Sequence, residues 1–166
     1  KPLYVQYGSW LARTLSGDMG RSLKDRRAVW DKVKERLPLT ITLNFLAILI
    51  TFAISIPLGI LAAVKPGSVI DQITTVMVFM LYSLPSFWVG TLIVIFFCGG
   101  DFFDWFPPAG LHALEYDPDW PLLRRTGDYL YHLAMPLLVT TYASFAFQSR
   151  VLRSSMLEVT QQDYVR

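Results

Sequence analysis

Residues 37–64 read LPLTITLNFLAILITFAISIPLGILAAV, 28 positions without an Asp, Glu, Lys or Arg. A helix needs about 20 apolar residues to cross the hydrocarbon core of a bilayer, so this stretch is long enough to span one. Two further stretches are equally free of these four residue types: 72–100, with 29 residues, and 129–149, with 21. The chain of 166 residues is 53% hydrophobic and only 17% charged. That pattern excludes a soluble globular domain, a disordered chain and a disulfide-rich secreted module. It predicts an all-α, polytopic helical membrane protein with three spans, at about 38–64, 70–98 and 129–149.

Each span has internal punctuation. Pro38 suits the first turn of span one, where its missing N–H costs nothing. Pro57 lies inside that span and predicts a kink, which membrane helices tolerate when neighbours re-satisfy the freed carbonyl. Gly59, Ala62 and Ala63 form a small-residue patch that another helix can approach closely. Lys65-Pro66-Gly67-Ser68 is a tight turn. Asp71 and Gln72 open span two, at its cap or at the interface. Tyr82-Ser83-Leu84-Pro85-Ser86-Phe87-Trp88 follows, and a proline between two serines in mid-span predicts a bend with hydroxyls nearby. Span three contains Pro136. Cys98 is the only cysteine, so no internal disulfide forms, and it reads as a packing residue.

The segments outside the spans carry the charge. Nine of the 15 Lys+Arg fall in residues 1–36. Leu3, Tyr7, Trp10, Leu11 and Leu15 recur there at helical spacing, Gly17-Asp18-Met19-Gly20 breaks the pattern, and Val29, Val33 and Leu37 resume it. Two short amphipathic helices fit, lying on a membrane surface or packed on the protein. The 99–128 loop is rich in aromatics, among them Phe102, Phe103, Trp105, Phe106, Tyr116 and Trp120. They fit an interfacial belt or a docking surface. Residues 150–166 read as a polar helix leaving the membrane. With three spans, the loop and residues 1–36 share one side. The loop's net −4 against the tail's +1 argues loop outside, while the +5 of residues 1–36 asks for the cytoplasm. Charge alone leaves orientation open. The chain does not begin with Met and stops on a helix-like stretch, so we expect a piece of a longer protein.

The chemistry-bearing residues are sparse. His112 and His132 have no Cys/His/Asp/Glu cluster at metal-ligand spacing, so no metal site is expected. No H-E-x-x-H, P-loop or G-x-S-x-G is present. No catalytic residue is expected, and His132 reads as an interfacial side chain. Thr40, Thr42, Asn44, Ser55, Ser144 and Gln148 are polar span residues, expected to make helix–helix hydrogen bonds or to line a polar conduit.

Seven motifs occur in order over nearly all of the chain: Gly17-Asp18-Met19-Gly20-Arg21-Ser22, Arg36-Leu37-Pro38-Leu39-Thr40, Ile56-Pro57-Leu58-Gly59, Ser83-Leu84-Pro85-Ser86-Phe87-Trp88, Phe106-Pro107-Pro108-Ala109-Gly110, Met135-Pro136 and Gln162-Asp163-Tyr164-Val165-Arg166. The series resembles the inner-membrane permeases of oligopeptide/dipeptide/nickel ABC importers, specifically the first of their two permease subunits. Phe97-Cys98-Gly99-Gly100-Asp101 and the acidic, aromatic loop look most like the branch importing peptides and peptide–antibiotic conjugates.

The resemblance implies a type I ABC importer permease fold of six spans in a bacterial inner membrane. This chain would hold spans two to four. Residues 1–36 would be an extracytoplasmic amphipathic segment and 37–166 the permease domain. The 99–128 loop would be extracytoplasmic, and 150–166 the start of a cytoplasmic coupling loop. It implies a non-catalytic subunit with no cofactor of its own, ATP and Mg acting in partner ATPases. The implied partners are a second permease subunit, two cytoplasmic ATPase subunits, an extracytoplasmic solute-binding protein and the lipid bilayer, with no nucleic acid. Glu158, Val159, Thr160, Gln161, Gln162, Asp163, Tyr164, Val165 and Arg166 match the run into the family's ATPase-coupling helix. On this reading Tyr82, Ser83, Pro85, Ser86 and Phe87 line the path for peptides. Phe102, Phe103, Trp105, Phe106 and Trp120 are candidates for contact with the binding protein, or form a membrane-interface belt. The competing readings are a same-family permease for nickel or another small solute, a membrane-embedded enzyme, and a non-transporting assembly subunit.

Overall fold

The charge-free stretches fold as helix. In the computed structural model, which describes residues 2–99 and 102–160, the elements are α1 (Leu3–Leu15), α2 (Val29–Val64), α3 (Val69–Ser83), α4 (Ser86–Ile93), a π-helix (Val94–Cys98) and α5 (Leu122–Thr160). Among the described residues the only extended pairing is one antiparallel bridge, Arg21 to Ala28. The chain divides into two units, 1–42 and 43–166.

In the first unit, α1 ends at a loop where Gly17 and Gly20 take φ of +88° and +74°, angles that side chains disfavour. Asp18 Oδ1 accepts from the Gly20 N–H at 2.9 Å. Residues 22–27 close a turn, with the Ser22 N–H donating to the Arg27 carbonyl at 2.9 Å. Lys32 Nζ donates to Asp25 at 2.9 Å. Hydrogen bonds from Ser22 and then Lys32 hold the Asp25 carboxyl at about 2, below its ordinary 3.8. Of the two short helices expected here, only α1 is separate. Val29, Val33 and Leu37 belong to the start of α2, because no glycine interrupts that spacing. Pro38 therefore sits well inside a helix, not in its first turn.

In the second unit, α5 packs on both α3 and α4, and α2 meets α5 at Gly59. A Cβ built on Gly59 would lie 2.8 Å from Leu152 Cβ and 3.2 Å from the Ser149 carbonyl oxygen. The small-residue patch is thus a close helix crossing, with Ala62, Ala63, Ala146 and Ser149 buried around it. Ala146 is 0% exposed. The outward side chains of α2 remain apolar: Phe45, Ile48, Leu49 and Phe52 are all exposed. A helix apolar all round belongs in a core or in lipid.

Among the described residues, α2 and α5 are each long and apolar enough to cross a membrane. A third span exists only if α3 and the α4–π segment count as one, despite a 92° bend between them. The bend expected in the 70–98 stretch lies at Leu84–Pro85. The residue before a proline is pushed out of the α region, and Leu84 is extended at φ −86°, ψ 125°. The helix of span three also outruns its expected limits of 129–149. α5 is continuous through Pro136, and α2 through Pro57.

Candidate functional site

The break at Leu84–Pro85 organises the second unit. Ending α3 frees backbone carbonyls at membrane depth, where each must find a donor. Two donors serve the break: the Leu84 N–H bonds the Leu81 carbonyl at 3.4 Å, and Tyr142 Oη, from α5, donates to the Leu84 carbonyl at 2.7 Å. Ser83 Oγ bonds back to the Phe79 carbonyl of its own helix at 2.7 Å. Tyr142 is 5% exposed. The Trp88 and Val89 N–H groups then bond the Pro85 carbonyl at 3.0 and 3.1 Å and restart the helix.

Past the break, α4, the π-helix, α5 and the 107–110 loop surround a cavity of about 530 Å³, lined by Phe87, Thr91, Cys98, His132 and Pro136 among others. Phe87, which lines it, is 76% exposed. Tyr82 faces a different groove of about 380 Å³, with Phe79, Phe147 and Arg150, and stacks on Phe147 at 6.3 Å between ring centroids. Of the five residues expected on one path, Pro85 is the joint, Ser86 opens α4, and Ser83 is turned back on its own helix. The structure does not gather all five into one site. A third groove, about 290 Å³, lies between α2 and α5 and is lined by Asn44, Thr51, Thr140, Ser144 and Gln148. Three of these are polar span residues singled out from the sequence. Thr40 and Thr42 donate to the Arg36 and Pro38 carbonyls of their own helix, at 3.0 and 2.9 Å.

The polar feature least visible in the sequence is an ion pair. Arg153 Nε and Nη2 donate to Asp71 Oδ1 and Oδ2 at 2.6 and 2.7 Å. This is the fork-on-carboxylate geometry that makes arginine pairs strong and directional. Asp71 is 5% exposed. It also accepts from the Gly67 N–H at 2.9 Å, while Ser68 Oγ caps the Asp71 N–H at 3.3 Å. The cap itself is Ser68; Asp71, the third residue of α3, is buried and paired across 82 residues of chain. Nothing local in the sequence links positions 71 and 153.

The aromatic loop is stapled to the helices. The Phe103 N–H donates to the Phe96 carbonyl, and the Trp105 and Phe106 N–H groups to the Phe97 carbonyl, at 2.9, 3.0 and 3.0 Å. These are carbonyls the π-helix leaves free. Phe102 packs on Phe96, Phe103 and Trp105 on Phe97, and Phe106 stacks on Tyr131. Tyr131 Oη also donates to the Trp105 carbonyl. Trp120 lies under Arg124, 3.6 Å from ring centroid to guanidinium carbon. Phe102, Phe103 and Trp105 keep exposed faces as well. His132 is buried, with Nδ1 at 2.8 Å from the Asp128 carbonyl, and Asp128 also holds His112 at 3.0 Å.

Residues 55–166 match the family described as the binding-protein-dependent transport system inner membrane component. The chain belongs to this family. The permease family thus supplies the frame for the broken span, and the matched region contains α3, α4, α5 and the Gly59 crossing. Similar permeases include the inner membrane ABC transporter permease YejB of Escherichia coli O157:H7, 34% identical over 99% of this chain and 45% of its own length. The oligopeptide transport system permease AppB of Bacillus subtilis is 34% identical over 99% of this chain and 50% of its own. The di/tripeptide transport system permease DppB of Pseudomonas aeruginosa is 33% identical over 100% and 52%. The chain spans about half the length of these relatives. Of the permease's expected coupling segment, Glu158, Val159 and Thr160 are the last described residues of α5. Gln161, Gln162, Asp163, Tyr164, Val165 and Arg166 lie outside the described residues.

Proposed function

We propose that this chain is the middle part of a permease subunit in an ATP-driven importer, forming part of the path for peptides or peptide-like solutes by alternating access. The observation that carries the reading is the broken span: a 92° joint that opens onto a cavity of about 530 Å³, in a chain of a transport-permease family. Broken helices around a cavity are where transporters place their solute. The relatives named for oligopeptide and di/tripeptide transport favour peptides over nickel. α3 alone spans about 22 Å, short of the ~30 Å core, whereas α3 and α4–π bent at right angles reach about 30 Å together. We read the pair as one broken span, with the 99–128 loop outside.

On this reading the subunit makes and breaks no bonds. A binding protein delivers solute to the outer face, with Phe102, Phe103, Trp105, Phe106 and Trp120 as its contact. Two ATPase subunits close on ATP and Mg, and the segment from Glu158 to Arg166 passes their movement to the helices. A second permease subunit completes the path. ATP shifts the balance between inward- and outward-open states only as far as it binds them differently. Phe87 and the groove beside it form this chain's share of the path, with Tyr82 on a neighbouring wall.

The test uses the full-length protein in vesicles with its companion subunits. Labelled short peptides and binding protein should stimulate ATP hydrolysis, and Asp163→Ala and Tyr164→Ala should abolish the stimulation. Stimulation by nickel alone would replace the substrate. The absence of any associated ATPase would sink the importer reading.

A further inference from the structure

α3 is tied to α5 at both of its ends by buried polar contacts. At one end the Arg153 fork grips Asp71, whose second oxygen also holds the Gly67 N–H of the α2–α3 turn. At the other, Tyr142 Oη holds the Leu84 carbonyl. The anchors are 11 residues apart on α5 and 13 on α3, about 16 and 20 Å of helix, so the ties bracket nearly all of α3. A carboxylate this buried cannot lose its partner cheaply, because the charge would remain in a low-dielectric site. α5 continues without a break from Arg153 through Glu158 to Thr160, a further stretch of about 10 Å. The first non-helical residue reached along α3 from the Asp71 end is Leu84, at the joint. Beyond it, α4 and the π-helix carry the loop stapled to Phe96 and Phe97.

We propose that the Asp71–Arg153 ion pair and the Tyr142–Leu84 bond clamp α3 to α5 as one lever, which delivers displacement of the C-terminal end of α5 to the joint at Leu84–Pro85. Asp71 and Arg153 are positioning residues. They touch no solute, and they decide which part of the broken span moves. α3 travels with the C-terminal half of α5, while α4 and the π-helix turn about the joint, their far end held by the loop that Tyr131 and Asp128 fix to the N-terminal end of α5. The groove changes because Phe87 and Thr91 ride on α4 and His132 and Pro136 on α5. The inference rests on the importer reading above.

The experiment uses full-length protein with its companion subunits in vesicles, with Cys98→Ser and spin labels at Val76→Cys on α3, Val151→Cys on α5 and Thr91→Cys on α4. In nucleotide-free protein, Asp71→Asn should widen the 76–151 distance distribution about twofold and lower uptake per ATP hydrolysed about tenfold, with basal hydrolysis unchanged. The swap of Asp71→Arg with Arg153→Asp should restore both, which a variant that merely misfolds would not do. Trapping nucleotide should shift the 76–91 distance and leave 76–151 in place. An unchanged 76–151 width in Asp71→Asn, a swap that restores nothing, or nucleotide moving 76–151 as far as 76–91 would each overturn the lever. If no ATPase associates, the importer reading fails, and the width in nucleotide-free protein still judges the clamp.

Discussion

Pro57 and Pro85 both lie in the middle of long apolar stretches, yet α2 runs on through Pro57 while the chain turns by 92° at Pro85. Each proline removes one N–H and crowds the carbonyl four residues back. The local penalty is the same, so the difference lies in the surroundings. At Pro85 the Leu81 carbonyl is met by the Leu84 N–H and the Leu84 carbonyl by Tyr142, and a broken helix is stable. Two residues beyond Pro57, the bare Gly59 is pressed against Leu152 and Ser149. A break there would separate α2 from α5. A proline proposes a break in a membrane helix, and the neighbouring helix accepts or refuses it.

The comparison is open to attack from both sides. The largest effect is expected at the crossing. Gly59→Leu forces a side chain into Leu152 and the Ser149 carbonyl, and should cost about 3 kcal/mol. Thermal unfolding of the full-length protein in micelles would show it, and an unchanged midpoint would mean that α2 is not held at Gly59. Next is Tyr142→Phe, which removes the donor to the Leu84 carbonyl at a cost of about 1 kcal/mol. The same melt reads it, and a neutral result would assign the stability of the break to the proline alone. Third, Pro85→Ala should keep the joint, with a change under about 1 kcal/mol. Labels at Val76→Cys and Thr91→Cys check this. A continuous helix would set their Cα atoms about 22 Å apart, and lengthening to that value would show that proline, not Tyr142, makes the bend.

The smallest effect lies outside the spans. Asp25 sits at about 2 in the folded chain against an ordinary 3.8. A lowered carboxylate stabilises its fold above its unfolded value and loses that contribution as pH falls through the folded one. Hydrogen-exchange protection of the 20–32 turn should therefore decline between about pH 4 and pH 2. Asp25→Asn should remove that dependence, and a decline that persists in the variant would assign it to another carboxylate.

How far each feature was legible follows from the range of the interaction behind it. The spans were readable because burying charge in hydrocarbon is costly wherever it happens in the chain, so charge-free runs mark helices directly. Gly59, Ala62 and Ala63 announced a crossing because only small residues let two backbones approach. The bend at Pro85 was legible as a local steric rule, though its 92° angle was not. Val29 as the true start of α2 was missed because Pro38 looked like a first turn.

What the sequence determined by itself was therefore the all-α membrane class, the family series of motifs, and the places where the chain can bend. What only the tertiary structure decided was which bend is used and what holds it. Arg153 finds Asp71 across 82 residues, Tyr142 reaches Leu84 across 58, and Phe87 and Tyr82 fall on separate grooves. Pairings of that kind depend on how α3 and α5 lie against each other, and helical periodicity within either segment carries no record of its partner.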